Sequence, residues 1–218
     1  RLFEMSKVYI PTTPDCLPDE PARLTLGFIT TDAKNGFYKM KGYIEAILKI
    51  AGIEDAKFVS CDTEPTFHTG RCAKFYVGEN ELGIFGEAHP DVADAYDIGA
   101  KVYLAEIKTD ALYDARRAEI TYRSIPKHPA IERDFSFVCE EEIEAAAVSS
   151  VIKEASKLVS SVELFDIYRG AQLGEGKKSM SYAVMLRAAD RTLTDEHADK
   201  AVKSILKSLE DKLGITLR

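Results

Sequence analysis

Beyond Pro129 the apolar pattern changes period in a fixed order. Phe135 to Cys139 alternates as a strand, and Ile143 to Leu158 carries apolar residues at helical spacing and is rich in Ala. Val162 to Tyr168 alternates again, and a Gly-rich hairpin leads into a long strand from Lys177 to Ala188. Thr194 reads as the N-cap of a second helix, with Asp195 and Glu196 in the first turn, where the macrodipole favours them. That helix runs to Leu213, stops at Gly214, and leaves Ile215 to Arg218 as a closing strand. Glu140-Glu141-Glu142 is expected at the entrance of the first helix, again favouring the macrodipole. The order β-α-β-β-α-β admits very few topologies. It predicts the split-βαβ ferredoxin-like arrangement, an antiparallel sheet with both helices on one face. The other face is left open, and an open sheet face is a natural platform for unpaired bases.

Upstream, residues 2–10 and 23–30 read as strands separated by a loop rich in Pro, Thr and Asp. Phe37 to Ala51 has helical spacing and ends at Gly52. Residues 71–78 and 81–88 form a hairpin about Glu79-Asn80, His89-Pro90 opens a short helix to about Tyr96, and residues 101–108 form a further strand. From Arg116 to His128 the pattern lapses, punctuated by Pro126 and followed by Pro129, which places a domain boundary there: residues 1–122 and 123–218.

A chain of 218 residues that is 45% hydrophobic and 30% charged can fill two modest cores. Its net charge of −7 excludes a protein that coats nucleic acid electrostatically, so any RNA contact must be local and made by specific side chains. Cys16, Cys61, Cys72 and Cys139 form no CxxC and read as buried thiols of a reducing cytosol. No apolar run is long enough to span a membrane, nothing resembles a signal peptide, and the missing initiator Met reads as a stretch cut from a longer protein.

The segment Leu164-Phe165-Asp166-Ile167-Tyr168 carries the most chemistry. Strict alternation puts Leu164, Asp166 and Tyr168 on one face and Phe165 and Ile167 on the other, the core face. Tyr168 then offers a flat ring for stacking, and Asp166 a carboxylate able to accept from guanine N1–H and N2–H together; the plainer reading is an exposed Asp/Tyr pair of no function. Gly174 to Ser179 fails as a Walker A loop, because Lys178 follows Gly176-Lys177 and a strand follows where a helix is required. It reads as a hairpin turn whose two lysines can meet phosphates at the rim of an RNA site. His68, Cys61, Cys72 and His89 are too irregularly spaced for structural zinc, and no nucleophile has a partnered base.

Four stretches in series resemble the beta subunit of bacterial phenylalanine–tRNA ligase: Arg1 to Tyr9; Phe67-His68-Thr69-Gly70-Arg71-Cys72-Ala73 with Gly83 to Pro90; Pro126 to Phe137, containing Arg133-Asp134; and Phe165 to Tyr168 with Lys177-Lys178-Ser179, Arg191 to Thr194 and Leu217-Arg218. The chain departs from the usual pattern at Thr69, where His-Pro-Gly is common, and at Ala88, where Glu-Leu-His-Pro is common. The resemblance implies an α+β chain from the later part of that subunit. Residues 1–122 would be part of a class II ligase-like (catalytic-like) antiparallel sheet module that has lost its active site and contacts the alpha subunit of an alpha2beta2 heterotetramer. Residues 123–218 would be a ferredoxin-like anticodon-binding domain. It further implies contacts to the tRNA(Phe) anticodon from Asp166, Tyr168 and Ser179, with Lys178 at the rim and Arg218 on a phosphate or base. No cofactor or metal is expected in the chain itself; ATP and magnesium belong to the whole, cytoplasmic enzyme. The competing expectation is a ferredoxin-like module of the ACT type that binds a small metabolite at its Gly170–Gly176 loop.

Overall fold

A computed structural model describes residues 1–31, 35–117, 122 and 124–217. The chain divides into two compact units, Arg1–Tyr122 and Arg123–Arg218. The first is a six-stranded antiparallel sheet in the order β1-β2-β6-β5-β4-β3. Its strands are β1 (Leu2–Lys7), β2 (Ala22–Thr30), β3 (Lys57–Ser60), β4 (Phe67–Val77), β5 (Asn80–Ala88) and β6 (Lys101–Lys108). Helix α1 (Gly36–Ile50) presents Met40, Ile44 and Leu48, one full stripe at i, i+4, i+8, to a core built on Phe28, Phe75, Phe85 and Tyr103. Each such buried side chain contributes about 1.5–3 kcal/mol. Short helices α2 (Pro90–Ala95) and α3 (Thr109–Ala115) follow β5 and β6.

Three expectations are corrected here. The first strand ends at Lys7, and only an isolated bridge, Ile10 to Asp19, continues toward residue 10. Strand β3 and helix α3 carry no strong periodic signal and were not expected. Cys16 is exposed, whereas Cys61, Cys72 and Cys139 are buried. This unit also encloses a charged side chain. The carboxylate of Glu87 accepts from Arg71 Nη1 at 2.9 and 2.8 Å, from Lys101 Nζ at 2.6 Å and from the Tyr103 hydroxyl at 2.9 Å.

The second unit is a four-stranded antiparallel sheet in the order β10-β7-β9-β8, from β7 (Ile131–Glu140), β8 (Val159–Tyr168), β9 (Lys177–Leu186) and β10 (Thr216–Leu217). Helices α4 (Ala145–Ala155) and α5 (Asp195–Leu213) pack on one face. Strand β9 lies between β7 and β8, which is the split that the ferredoxin-like order requires. Phe135, Phe137, Met180, Tyr182, Val184 and Leu186 meet Val148, Val151 and Ile152 of α4 and Ala198, Ala201, Ile205 and Leu209 of α5. Ala198 and Ala201 are the small members of the α5 stripe buried there. Gly214, at φ 63°, closes α5 in the left-handed conformation that a side chain disfavours. The Tyr182 hydroxyl donates to the Ala145 carbonyl at 3.0 Å, tying sheet to helix, and burial pushes that phenol up to about 12.

Helix α4 starts later than its sequence indicates. Residues 141–144 form a turn, Glu144 is the N-cap, and no acidic residue stands in the first helical turn. The acidic run therefore does not serve the macrodipole. Thr194 does cap α5, yet its hydroxyl meets His197 Nδ1 at 2.7 Å in place of a backbone N–H. No helix among the described residues is long and apolar enough to cross a membrane.

Candidate nucleic-acid interface

Residues paired directly across an antiparallel sheet share a face, so the ladder assigns the side chains of the second unit's strands. Met180, Tyr182 and Val184 are buried against the helices. Ser179, Ser181, Ala183 and Met185 therefore belong to the face that neither α4 nor α5 covers. The pairings of β9 with β7 and β8 arrange that face in rows. Val138, Ser179 and Tyr168 form one row, and Ser136, Ser181 and Asp166 the next. Asp134, Ala183 and Glu163 come third, then Glu132, Met185 and Ser161. On the far side of the first row, Glu140 is paired with Lys177.

Strict alternation along β8 does not survive. The register shifts between Leu164 and Asp166, so Phe165 is an extra residue with no partner opposite. Leu164 pairs with Tyr182 and packs against the core, while Asp166 and Tyr168, beyond the shift, pair with Ser181 and Ser179. Leu164 thus does not share a face with Asp166. Phe165 is not a core residue either, being 56% exposed at the bulge. Ile167 pairs with the buried Met180 but stays exposed near the strand's end. Asp166 and Tyr168 do share the open face, with Tyr168 41% exposed.

The predicted site residues separate on this frame. Asp166, Tyr168 and Ser179 come together in two adjacent rows. Ser179 is recessed. Ser181 exchanges a 2.9 Å hydrogen bond with Ser136. Lys178 is not brought to the rim. It lies on the helix side of β9, is buried, and its ammonium donates to the Glu141 carbonyl at 2.7 Å. Lys177 is exposed at this end of the open face, 3.6 Å from Glu140. Arg218 lies outside the described residues.

Sequence reasoning missed Ser136 and Ser181 and took Glu141 for a helix-entry residue; of the two lysines it expected at the rim, Lys177 is the exposed one. The alternations Asp134-Phe135-Ser136-Phe137 and Ser179-Met180-Ser181-Tyr182 carried the signal for the two serines, since each sets a small polar residue against a large apolar one. Glu141 gathers the sheet end. It accepts from Arg169 Nε at 3.1 and 3.2 Å and Arg169 Nη2 at 2.7 Å, and its own N–H donates to the Gly176 carbonyl at 2.8 Å. Arg169 holds the Glu141 carboxyl below its ordinary range.

The arrangement offers a flat ring, a carboxylate and three hydroxyls within two rows, flanked by acidic side chains beyond. It suits reading a base edge and does not suit gripping a phosphate backbone. In the first unit, the cleft lined by Asp62, Glu64, Thr69, His89 and Asp91 places no nucleophile beside a base among the described residues. His89 Nδ1 there accepts from the Asp91 N–H as the cap of α2.

Two family models match the chain. That of the ferredoxin-fold anticodon binding domain covers residues 126–218, and that of the phenylalanyl tRNA synthetase beta chain CLM domain covers residues 1–109. The second unit is, by fold and by family, an anticodon-binding domain. The chain belongs to the phenylalanyl-tRNA synthetase beta chain family. It is 39% identical over its whole length to the phenylalanine–tRNA ligase beta subunit of Clostridium tetani and 35% identical to that of Clostridium acetobutylicum, spanning 27% of the length of each. Among solved structures, a pyrrolysyl tRNA synthetase from Desulfitobacterium hafniense aligns with a TM-score of 0.42 and 17% identity, covering 50% of this chain and 38% of that one.

Proposed function

We propose that this chain is the non-catalytic part of a phenylalanine–tRNA ligase beta subunit that recognises the tRNA(Phe) anticodon, its first unit serving assembly with the alpha subunit of an alpha2beta2 heterotetramer in the cytoplasm. ATP and magnesium are used elsewhere in that enzyme. The observation that carries the reading is the pair of rows Tyr168–Ser179 and Asp166–Ser181–Ser136 on a sheet face that neither helix of the unit covers. Tyr168 stacks on the guanine at the first anticodon position. Asp166 accepts from that guanine's N1–H and N2–H, a pairing adenine cannot return because it offers no N1–H donor. Ser179 supplies a hydroxyl to the same base or its neighbour, and Arg218 a phosphate or base contact. Lys178, with its ammonium on Glu141, gives its rim role to Lys177.

The test is binding of a phenylalanine anticodon stem-loop. Tyr168→Ala is expected to lose about 1–3 kcal/mol, the worth of one stacked base. Asp166→Asn is expected to relax the preference for guanine over adenine at the first position, since one acceptor oxygen becomes a donor. Unchanged affinity in the first variant and unchanged discrimination in the second would defeat the assignment. Among the described residues, nothing favours an amino-acid-binding regulatory module; free amino acids are expected to leave the melting temperature where it was.

A further inference from the structure

Tyr168 is the last residue of β8, and two residues on stands Gly170. The backbone of Gly170 is extended, at φ −152° and ψ 155°, a conformation open to any residue. Backbone geometry therefore does not explain a glycine there. Space does. A Cβ at this position would lie 2.2 Å from the Tyr168 hydroxyl oxygen, 2.5 Å from Cζ and 2.7 Å from Cε1. The ring lies along the strand, its hydroxyl end in the volume where a side chain at 170 would begin. On both sides the backbone is anchored. Arg169 is clamped on Glu141 by three contacts, and the Gly170 carbonyl accepts from Leu173 N–H at 2.9 Å, opening a single 3-10 turn over Ala171–Leu173. Glu141 in turn is tied to Gly176 and Lys178 at the start of the next strand.

We propose that Gly170 is a positioning residue for anticodon recognition: its bare Cα is the seat on which the Tyr168 ring rests, fixed before RNA arrives. This rests on the reading of Tyr168 as the stacking residue. A seated ring loses less rotational freedom when a base lands on it, the general advantage of a preorganised contact. Any side chain at 170 forces the ring off the seat, because the three nearest atoms all belong to the Tyr168 side chain.

Two measurements on the 218-residue chain decide this. The first needs no RNA. A ring whose hydroxyl end is held on Gly170 puts the Tyr168 ε-protons beside the Gly170 α-protons, and a nuclear Overhauser contact between them is expected in the RNA-free chain. Absence of that contact would overturn the seat. The second is a double-mutant cycle in anticodon stem-loop binding. Gly170→Ala is expected to weaken binding about tenfold with the melting temperature unchanged or slightly raised, and to cause no further loss in a Tyr168→Ala background. An equal loss in both backgrounds would show Gly170 acting by another route, and full affinity in Gly170→Ala would show the seat to be idle; either overturns the proposal. If Tyr168→Ala itself binds as the parent does, the stacking reading has failed and the seat's role in binding with it, while the Overhauser contact in the parent chain still reports whether the ring is seated.

Discussion

Lys177 and Lys178 are neighbours of one chemistry with opposite duties, because a strand turns them to opposite faces. Lys177 is exposed beside the rows of the candidate site, and Lys178 is buried with its ammonium on the Glu141 carbonyl. Lys177→Gln is expected to weaken stem-loop binding alike for all anticodons and to flatten the salt dependence by roughly 0.7 in log–log slope, one phosphate's share for single strands. Lys178→Gln is expected to leave that slope alone and to lower stability by about 1–2 kcal/mol, read by urea unfolding, since a charged hydrogen bond is lost at a buried position. The motif around these lysines was legible from sequence; which of the two lies on the open face was not, because the strand's parity is set by its partners. Asp166 and Tyr168 were grouped on one face for a related reason. The bulge at Phe165 reverses parity upstream of both, so their common face is kept while Leu164 changes sides.

At the scale of elements, what could be read were the strongly marked ones. Helix α5 has a capping residue, an acidic first turn and a glycine stop, and its bounds follow from them. Strand β3 is four residues long with three exposed, and such a pattern carries no period to find. The Glu87 cluster was equally hidden, since its members come from strands β4, β5 and β6. Burial pushes the Glu87 carboxyl up, but the hydrogen bonds from Lys101, Tyr103 and Arg71 outweigh it, and the group titrates below its ordinary value of 4.5. A depressed pKa in the folded state stabilises above the unfolded value and is lost as pH falls through the folded one. The first unit is therefore expected to lose stability below about pH 4.5 in a step that Glu87→Gln removes. At neutral pH that variant is expected to be weaker by roughly 2–3 kcal/mol, short of a wholly buried pair because Arg71 and Lys101 remain partly in water. Urea melts across pH 3–7 measure both effects.

For the molecule as a whole, the net charge of −7 constrains the proposed RNA contact. The open face of the second unit repeats it locally, with Glu132, Asp134 and Glu163 on the two rows beyond the candidate site. Stem-loop binding by this chain is expected to show a log–log salt slope of magnitude below about 2, as for two or fewer neutralised phosphates. A steeper slope, measured between roughly 50 and 200 mM salt, would mean a second, basic surface. The two-unit order was open to sequence because proline and a lapse in periodicity mark the joint. That every residue of strand β1 is exposed was not, since its sequence shows no alternation that marks an uncovered strand.

Rows on one face of a strand repeat every two residues, about 7 Å. The two rows at the Tyr168 end, in which Asp166 is the one acidic side chain, thus offer room for very few nucleotides before Glu163 and Asp134 begin. Those carboxylates are expected to act as a fence, since a strand that slipped inward by one nucleotide would carry its phosphate onto like charge. On the proposed reading, alignment of the anticodon then depends on the penalty on the misaligned pose as much as on attraction to the right one. Removing both charges with uncharged isosteres, Asp134→Asn together with Glu163→Gln, is expected to raise affinity for unrelated single strands while leaving the cognate stem-loop nearly unchanged, so that selectivity falls as total binding grows.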